Sequence, residues 1–334
     1  FFEVEGSLSG DKGNAAFAWK EGEQWQYDGN SRGIINWTPN DNFVAIGWLQ
    51  TGTSDEILEG ALFDQPRLLT DANLDGSSIS GQEPGLVAGG TVGSVSIFEW
   101  NEASGWVPNA EREGAFSKIW GTLANGGFGA SVAMSRDAEI IAVGAPGQED
   151  GSVSESSVHV FQGTDAGYVP MGAPIKGKVA KEFFGRSVAL DQLGTTLAVG
   201  ADRADVNGEN SGVVRVYKWN GAAWTQMGAD IKGEAAGDAS GTSVDLNVDG
   251  TVLIVGAPGN GGNGISSGHA RVYVWNNSAW VQRAQDVDGE NATDFSGRTV
   301  ALSGDGNSFA VGADGNDDGG SNAGHVRTFK LSIE

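Results

Sequence analysis

The chain has 334 residues, of which 54 are glycine and none is cysteine, with 39% hydrophobic residues and a formal net charge of −23. Such an acidic surface repels nucleic acid and anionic membrane, and the lack of thiols excludes disulfides, thiolate metal centres and cysteine nucleophiles. No run of 18 apolar residues occurs, so no segment predicts membrane insertion.

Glycine at about twice its usual share, without a collagen period, points to many turns and therefore to many short strands. In chain order, AAFAWKEGEQW at 15–25 reads as a hairpin, and FVAIGW at 43–48 as a strand like the second one of each repeat further along the chain. The runs RLLT, GLVAGG at 85–90 and VSIFEW at 95–100 follow the same theme irregularly up to residue 127. From there the pattern becomes a repeat. FGASVAMSRDAEIIAVGAP begins at Phe128, FGRSVALDQLGTTLAVGAD at Phe184, SGTSVDLNVDGTVLIVGAP at Ser240 and SGRTVALSGDGNSFAVGAD at Ser296. Gly129, Gly185, Gly241 and Gly297 are each 56 residues apart, and so are Gly144, Gly200, Gly256 and Gly312.

Each unit reads as four strands, here a to d. SVAL at 187–190 is strand a, and a tight turn leads to strand b, LAVGA at 197–201. A polar loop of about a dozen residues precedes strand c, VVRVYKW at 213–219 or ARVYVW at 270–275, and a hairpin leads to strand d, WTQMG at 224–228. No amphipathic helix is predicted. The final unit stops after strand c, at VRTFKLSIE, and in a closed ring an N-terminal strand would supply its missing partner. Four-stranded units of this length predict a single all-β domain over 1–334, a β-propeller of about seven blades with six as the other count. Blades 1–127 are irregular, and the regular repeats are 128–183, 184–239, 240–295 and 296–334.

Phe128-Gly129 followed by Gly144-Ala145-Pro146 resembles the FG-GAP signature of the integrin α-subunit propeller, and Phe184-Gly185 with Gly200-Ala201 repeats it with Asp202 in place of proline. The unit from Ser240 keeps Gly256-Ala257-Pro258 but loses the phenylalanine, and the unit from Ser296 loses both. The resemblance implies a secreted, extracellular or cell-surface module that serves adhesion or protein–protein contact without catalysis. It also implies calcium, which many FG-GAP blades hold in a D-x-[DN]-x-D-G loop between strands a and b. That hairpin is too short in the four regular repeats. Two other stretches match: Asp71, Asn73 and Asp75 before Gly76, and Asp314, Asn316 and Asp318 before Gly319. The second lies in a b–c loop, outside the family position, and an Asx-rich turn is the alternative reading of both.

Aromatic pairs flank the c–d turns: Trp100 with Trp106, Phe161 with Tyr168, Trp219 with Trp224, and Trp275 with Trp280. They are expected to meet as cross-strand partners, and a sugar-stacking platform between blades, as in propeller lectins, is the alternative. Glycans thus join proteins as candidate partners. Asn36, Asn276 and Asn291 open sequons and are candidate glycosylation sites in a eukaryotic source. His159, His269 and His325 are read as occupying the same slot of their repeats, or one residue from it, at the start of strand c, which speaks for a structural role. Glu182, Asp238 and Asp294 lie three residues before the anchor glycine and are expected to accept backbone N–H bonds there. No nucleophile elbow, zinc helix or phosphate loop appears, and a glycoside hydrolase built from paired carboxylates is a distant third reading.

Overall fold

A computed structural model describes residues 17–18, 26–27, 47–51, 54–58, 67–69, 93–101, 105–108, 118–123, 126–147, 155–164 and 167–331. The described residues form strands and turns and no helix. In the unit 184–239, strands a to d are Ser187–Leu190, Thr196–Ala201, Val213–Trp219 and Trp224–Gln226, joined in that order as one antiparallel sheet. The unit 128–183 repeats this order with Ser131–Met134, Ile140–Ala145, Ser157–Thr164 and Gly167–Pro170. The unit 240–295 does so with Ser243–Leu246, Val252–Ala257, His269–Trp275 and Trp280–Gln282. The last sheet has three strands, Thr299–Leu302, Ser308–Ala313 and His325–Lys330. Earlier in the chain, Phe17–Ala18 pairs with Gln26–Tyr27, and Gly47–Thr51 pairs with Ser54–Leu58.

Strand d differs from its expected continuous form. It breaks after three or four residues and resumes at Ile175–Lys176, Ile231–Lys232 and Val287–Asp288, each of which pairs with the opposite end of strand c. Strand c, at seven or eight residues, is longer than the two pieces together, so the interruption lets one chain segment satisfy both its ends. In the N-terminal region, Arg67–Leu69 pairs directly with Ser94–Asn101, the place that strand b takes in the regular units. GLVAGG at 85–90 and the segment 70–84 lie outside the described residues.

The cores lie between sheets. Strand b is buried at every position in the units 128–183, 184–239 and 240–295 because both its faces are covered: Leu197 and Val199 pack with Ala142 and Val158 of the preceding unit and with Phe184 of their own. Ala198 packs with Val244, Leu253 and Val255 of the following one. Full burial of such a Leu or Val contributes ~1.5–3 kcal/mol, and two further clusters repeat the arrangement on either side. This is blade-on-blade packing.

The glycines of the repeat explain its signature. A Cβ on Gly200 would stand 1.9 Å from the carbonyl oxygen of Gly241 in the next unit, and one on Gly256 would stand 1.9 Å from that of Gly297. The anchor glycines themselves take left-handed backbone, with φ of +95° at Gly185 and +90° at Gly241. The first residue of strand a closes the joint. Ser131, Ser187 and Ser243 donate their hydroxyls to the carbonyls of Gly185, Gly241 and Gly297 at 2.7, 2.8 and 2.9 Å. At the a–b turns, a backbone chain also crosses the units, from Arg136 N–H to the Gln192 carbonyl, Gln192 to Val248, and Val248 to Gly304, at 3.0, 3.1 and 3.1 Å.

Candidate functional site

The end of the sheets opposite the a–b turns carries the long b–c loops and the connections from d to the next a. In the loop after Ala201, the Gly212 N–H donates to the Ala204 carbonyl at 2.9 Å and the Asn207 side chain to the Gly233 carbonyl at 2.7 Å. The next loop repeats these bonds with Gly268 to Asn260 at 2.9 Å and Asn263 to Gly289 at 2.8 Å. Asn210, Ser266 and Asn322 take the same left-handed conformation, with φ of 52°, 53° and 49°. Each tip is therefore built alike, yet the residue it displays changes from Glu209 to Ile265 to Ser321, all exposed. Ile265 is 81% exposed, although it is a large aliphatic residue. Its backbone is pinned, because its carbonyl accepts the N–H of Thr293 at 2.8 Å.

The carboxylates before the anchor glycines do what the repeat implied. Asp238 accepts the N–H groups of Glu234 and Ala235 at 2.9 and 2.8 Å, and Asp294 accepts that of Asn291 at 2.9 Å. Glu182 accepts the Lys178 N–H and, one methylene longer, also reaches Arg215 with two bonds of 2.9 Å. Arg215 and Glu182 are both buried, and Asp230 takes the Arg215 Nε at 3.1 Å. Burial alone would raise the Asp230 carboxyl, but bonds from Lys178, Gln226 and Arg215 outweigh it and hold the group at about 2.

The histidines are not all in one slot. His269 and His325 are 56 residues apart, whereas His159 lies two positions further along its strand, where the later units carry Arg215, Arg271 and Arg327. His159 bonds the Ser157 hydroxyl at 3.0 Å, stacks on Phe161 and has its pKa lowered by burial. His269 is 1% exposed and neither ring nitrogen has a hydrogen-bond partner. Its Nδ1 faces carboxylates from two units: Asp286 at 3.4 Å, Asp288 at 3.9 Å and Glu234 at 4.0 Å. Burial, with Arg271 adding to it, lowers the His269 pKa against the opposing pull of Asp286, Glu234 and Asp238. The donor atoms of Glu234, His269 and Asp286 lie within 4.8 Å of one another, and Glu290, Asp318 and His325 form a second such group. The histidines stood out in the sequence, but their acidic neighbours did not. The 56-residue offset from Glu234 to Glu290 was the available signal.

Asp71, Asn73 and Asp75 lie outside the described residues, as does Asn36. Asp314, Asn316 and Asp318 each turn to a different partner. Asp314 pairs with Arg298 at 3.3 Å, buried Asn316 donates to Asp294 at 3.1 Å, and Asp318 joins Glu290 and His325. Asn276 and Asn291 are exposed, with Asn276 Oδ1 accepting the Ala279 N–H at 2.9 Å in the c–d turn.

Trp219 and Trp275 face Trp224 and Trp280 across their strands, with ring centroids 5.5 and 5.6 Å apart. Trp224 and Trp280 donate to the Met171 and Met227 carbonyls of the preceding unit at 3.0 Å, and the rings cover Gly172 and Gly228. Trp100 and Trp106 are also opposite in register. Phe161 and Tyr168 are not direct partners, since Phe161 faces Pro170 and Tyr168 faces Gly163. Tyr168 instead reaches the Ala138 carbonyl at 2.7 Å, a bond that fixes it diagonally in the core.

Residues 177–217, running from the end of one unit into strand c of the next, match the FG-GAP repeat. No protein among the curated sequences matches the chain. Among solved structures, the hydrazine synthase of Kuenenia stuttgartiensis is similar at 16% identity and a TM-score of 0.41, covering 61% of this chain. This chain spans about half of that one, 46% of its length. The periplasmic gluconolactonase of Pseudomonas aeruginosa is similar at 16% identity and a TM-score of 0.46, covering 90% of this chain and 74% of that chain.

Proposed function

We propose that this chain is an extracellular or cell-surface interaction module, a closed propeller of six or seven FG-GAP-type blades that binds proteins through its b–c loops. The supporting observation is the contrast within those loops: a hydrogen-bonded frame that repeats, and a tip residue that does not. A fixed scaffold presenting divergent side chains is how recognition loops are commonly arranged. An N-terminal strand completing the last sheet belongs to this reading, as does calcium at Asp71, Asn73 and Asp75, for which chelation should lower the melting temperature.

The test is a binding panel of extracellular matrix and cell-surface proteins in millimolar calcium, run beside a glycan array. A triple substitution of Glu209, Ile265 and Ser321 by other polar residues should abolish protein binding at an unchanged melting temperature. Protein binding that survives the triple variant overturns the loop assignment. A blank protein panel with one sugar class bound, and lost in Trp224→Ala or Trp280→Ala, favours the lectin.

A further inference from the structure

We propose that Glu234, His269 and Asp286 form a binding site for a divalent first-row transition-metal ion, of which zinc is the model. Five features of the site support this. His269 is almost completely buried, yet both ring nitrogens lack a hydrogen-bond partner, an arrangement that is costly unless something else engages the ring. The Nδ1 atom faces Asp286 Oδ2 at 3.4 Å and Glu234 Oε2 at 4.0 Å. Ligand atoms around a tetrahedral zinc stand roughly 3.3–3.5 Å apart, from metal–ligand bonds of about 2.0–2.1 Å. The His269–Asp286 separation already meets that spacing, and Glu234, whose side chain is 48% exposed, has room to close the remainder.

Each carboxylate is held by its other oxygen. Gln282 donates to Asp286 Oδ1, at 2.6 Å, and Arg271 lies 3.5 Å from Glu234 Oε1. That leaves Oδ2 and Oε2 turned towards the ring, as supported metal ligands are. With Asp288 nearby, the site gathers three carboxylates against one guanidinium, a balance that favours a dication.

The repeat supplies an internal comparison. One unit earlier, Val213 stands at the position of His269, Asp230 at that of Asp286 and Lys178 at that of Glu234. There Lys178 Nζ bonds Asp230 at 2.8 Å, so where the histidine is missing the chain provides its own cation. One unit later, Glu290 and His325 return, and Asp318 supplies the third donor from the b–c loop. An imidazole nitrogen in the donor set favours zinc or another late first-row ion over calcium, which prefers oxygen throughout.

The test uses the purified chain, stripped with a chelator and desalted. Zinc at about 100-fold excess over its dissociation constant should raise the melting temperature by ~2–4 °C. His269→Gln and Asp286→Asn should each weaken titrated zinc binding at least tenfold, whereas His325→Gln should leave the His269-dependent binding in place. Glu234→Lys, which copies the unit before, should abolish the His269-dependent zinc binding while keeping the fold. Cobalt should give visible d–d bands that His269→Gln removes. Should His269→Gln fail to fold, Asp286→Asn and Glu234→Lys carry the test, since both side chains reach solvent. No heat and no melting shift with zinc, or binding undiminished in the Asp286 and Glu234 variants, overturns the proposal.

Discussion

Replacing Glu182 measures how much the joint between units 128–183 and 184–239 depends on one buried ion pair. The wild-type carboxylate accepts two bonds of 2.9 Å from Arg215 and the N–H of Lys178, and both charged groups are almost fully buried. Breaking a buried pair by removing one partner costs about 3–5 kcal/mol, chiefly because the other charge is left stranded. Here Asp230 still holds the Arg215 Nε at 3.1 Å, so the expected loss for Glu182→Ala is nearer ~2–4 kcal/mol. Glu182→Asp should fall between it and wild type, because aspartate at this position keeps the turn N–H bonds, as Asp238 and Asp294 do, but is too short for the guanidinium. The double variant Glu182→Ala with Arg215→Met should recover more than half the loss, since an apolar pair in place of a buried ion pair is near neutral. Urea denaturation followed by tryptophan fluorescence gives all four free energies, and the Arg215→Met single variant completes the cycle that yields the coupling. A Glu182→Ala variant within ~0.5 kcal/mol of wild type, or a double variant no more stable than the single, would refute this reasoning.

Gly200→Ala places a methyl group 1.9 Å from the Gly241 carbonyl, backbone against backbone, and should cost about 3 kcal/mol, while Gly261→Ala, whose nearest neighbour is 3.7 Å away, should be near neutral in the same melt. Asp238→Ala should destabilise by ~1–3 kcal/mol, because two backbone N–H groups and the Asn260 amide lose their acceptor; a large loss of partner binding with unchanged melting would reassign this residue. Asp245 reaches the Leu302 N–H of the next unit at 2.7 Å, and burial, against the pull of two backbone N–H bonds, lifts its carboxyl from 3.8 to about 6. The folded state then holds a proton that the unfolded chain releases near pH 4, so this group contributes stability below that pH and loses it as pH rises through about 6. The full effect is at most roughly 3 kcal/mol, and the difference in melting between wild type and Asp245→Asn should grow from pH 4 to pH 6.5 and then level off.

The sheets were legible because strand length, turn glycines and the alternation of VVRVYKW are local properties, read without knowing what lies across the sheet. The break in strand d was not, since it depends on Ile231 and Lys232 returning to the far end of strand c. The FG-GAP signature shows the same division. Its recurrence marks a repeat, but why the chain keeps Gly200 and Gly241 is visible only when 1.9 Å separates a would-be side chain from the next unit's carbonyl.

The buried cluster lies at the limit of what a repeat discloses. Glu234 belongs to one unit and His269 and Asp286 to the next, so no single repeat contains the set, and in the sequence the acidic members are lost among 43 carboxylates. Aligning three units, however, exposes the substitution of Lys178 and Val213 for Glu234 and His269, two changes that move together and exchange a side-chain cation for an imidazole. Packing explains neither change, because valine and histidine are both buried at that position. Charge does: the carboxylate common to both units, Asp230 or Asp286, faces a cation in the first and requires one in the second.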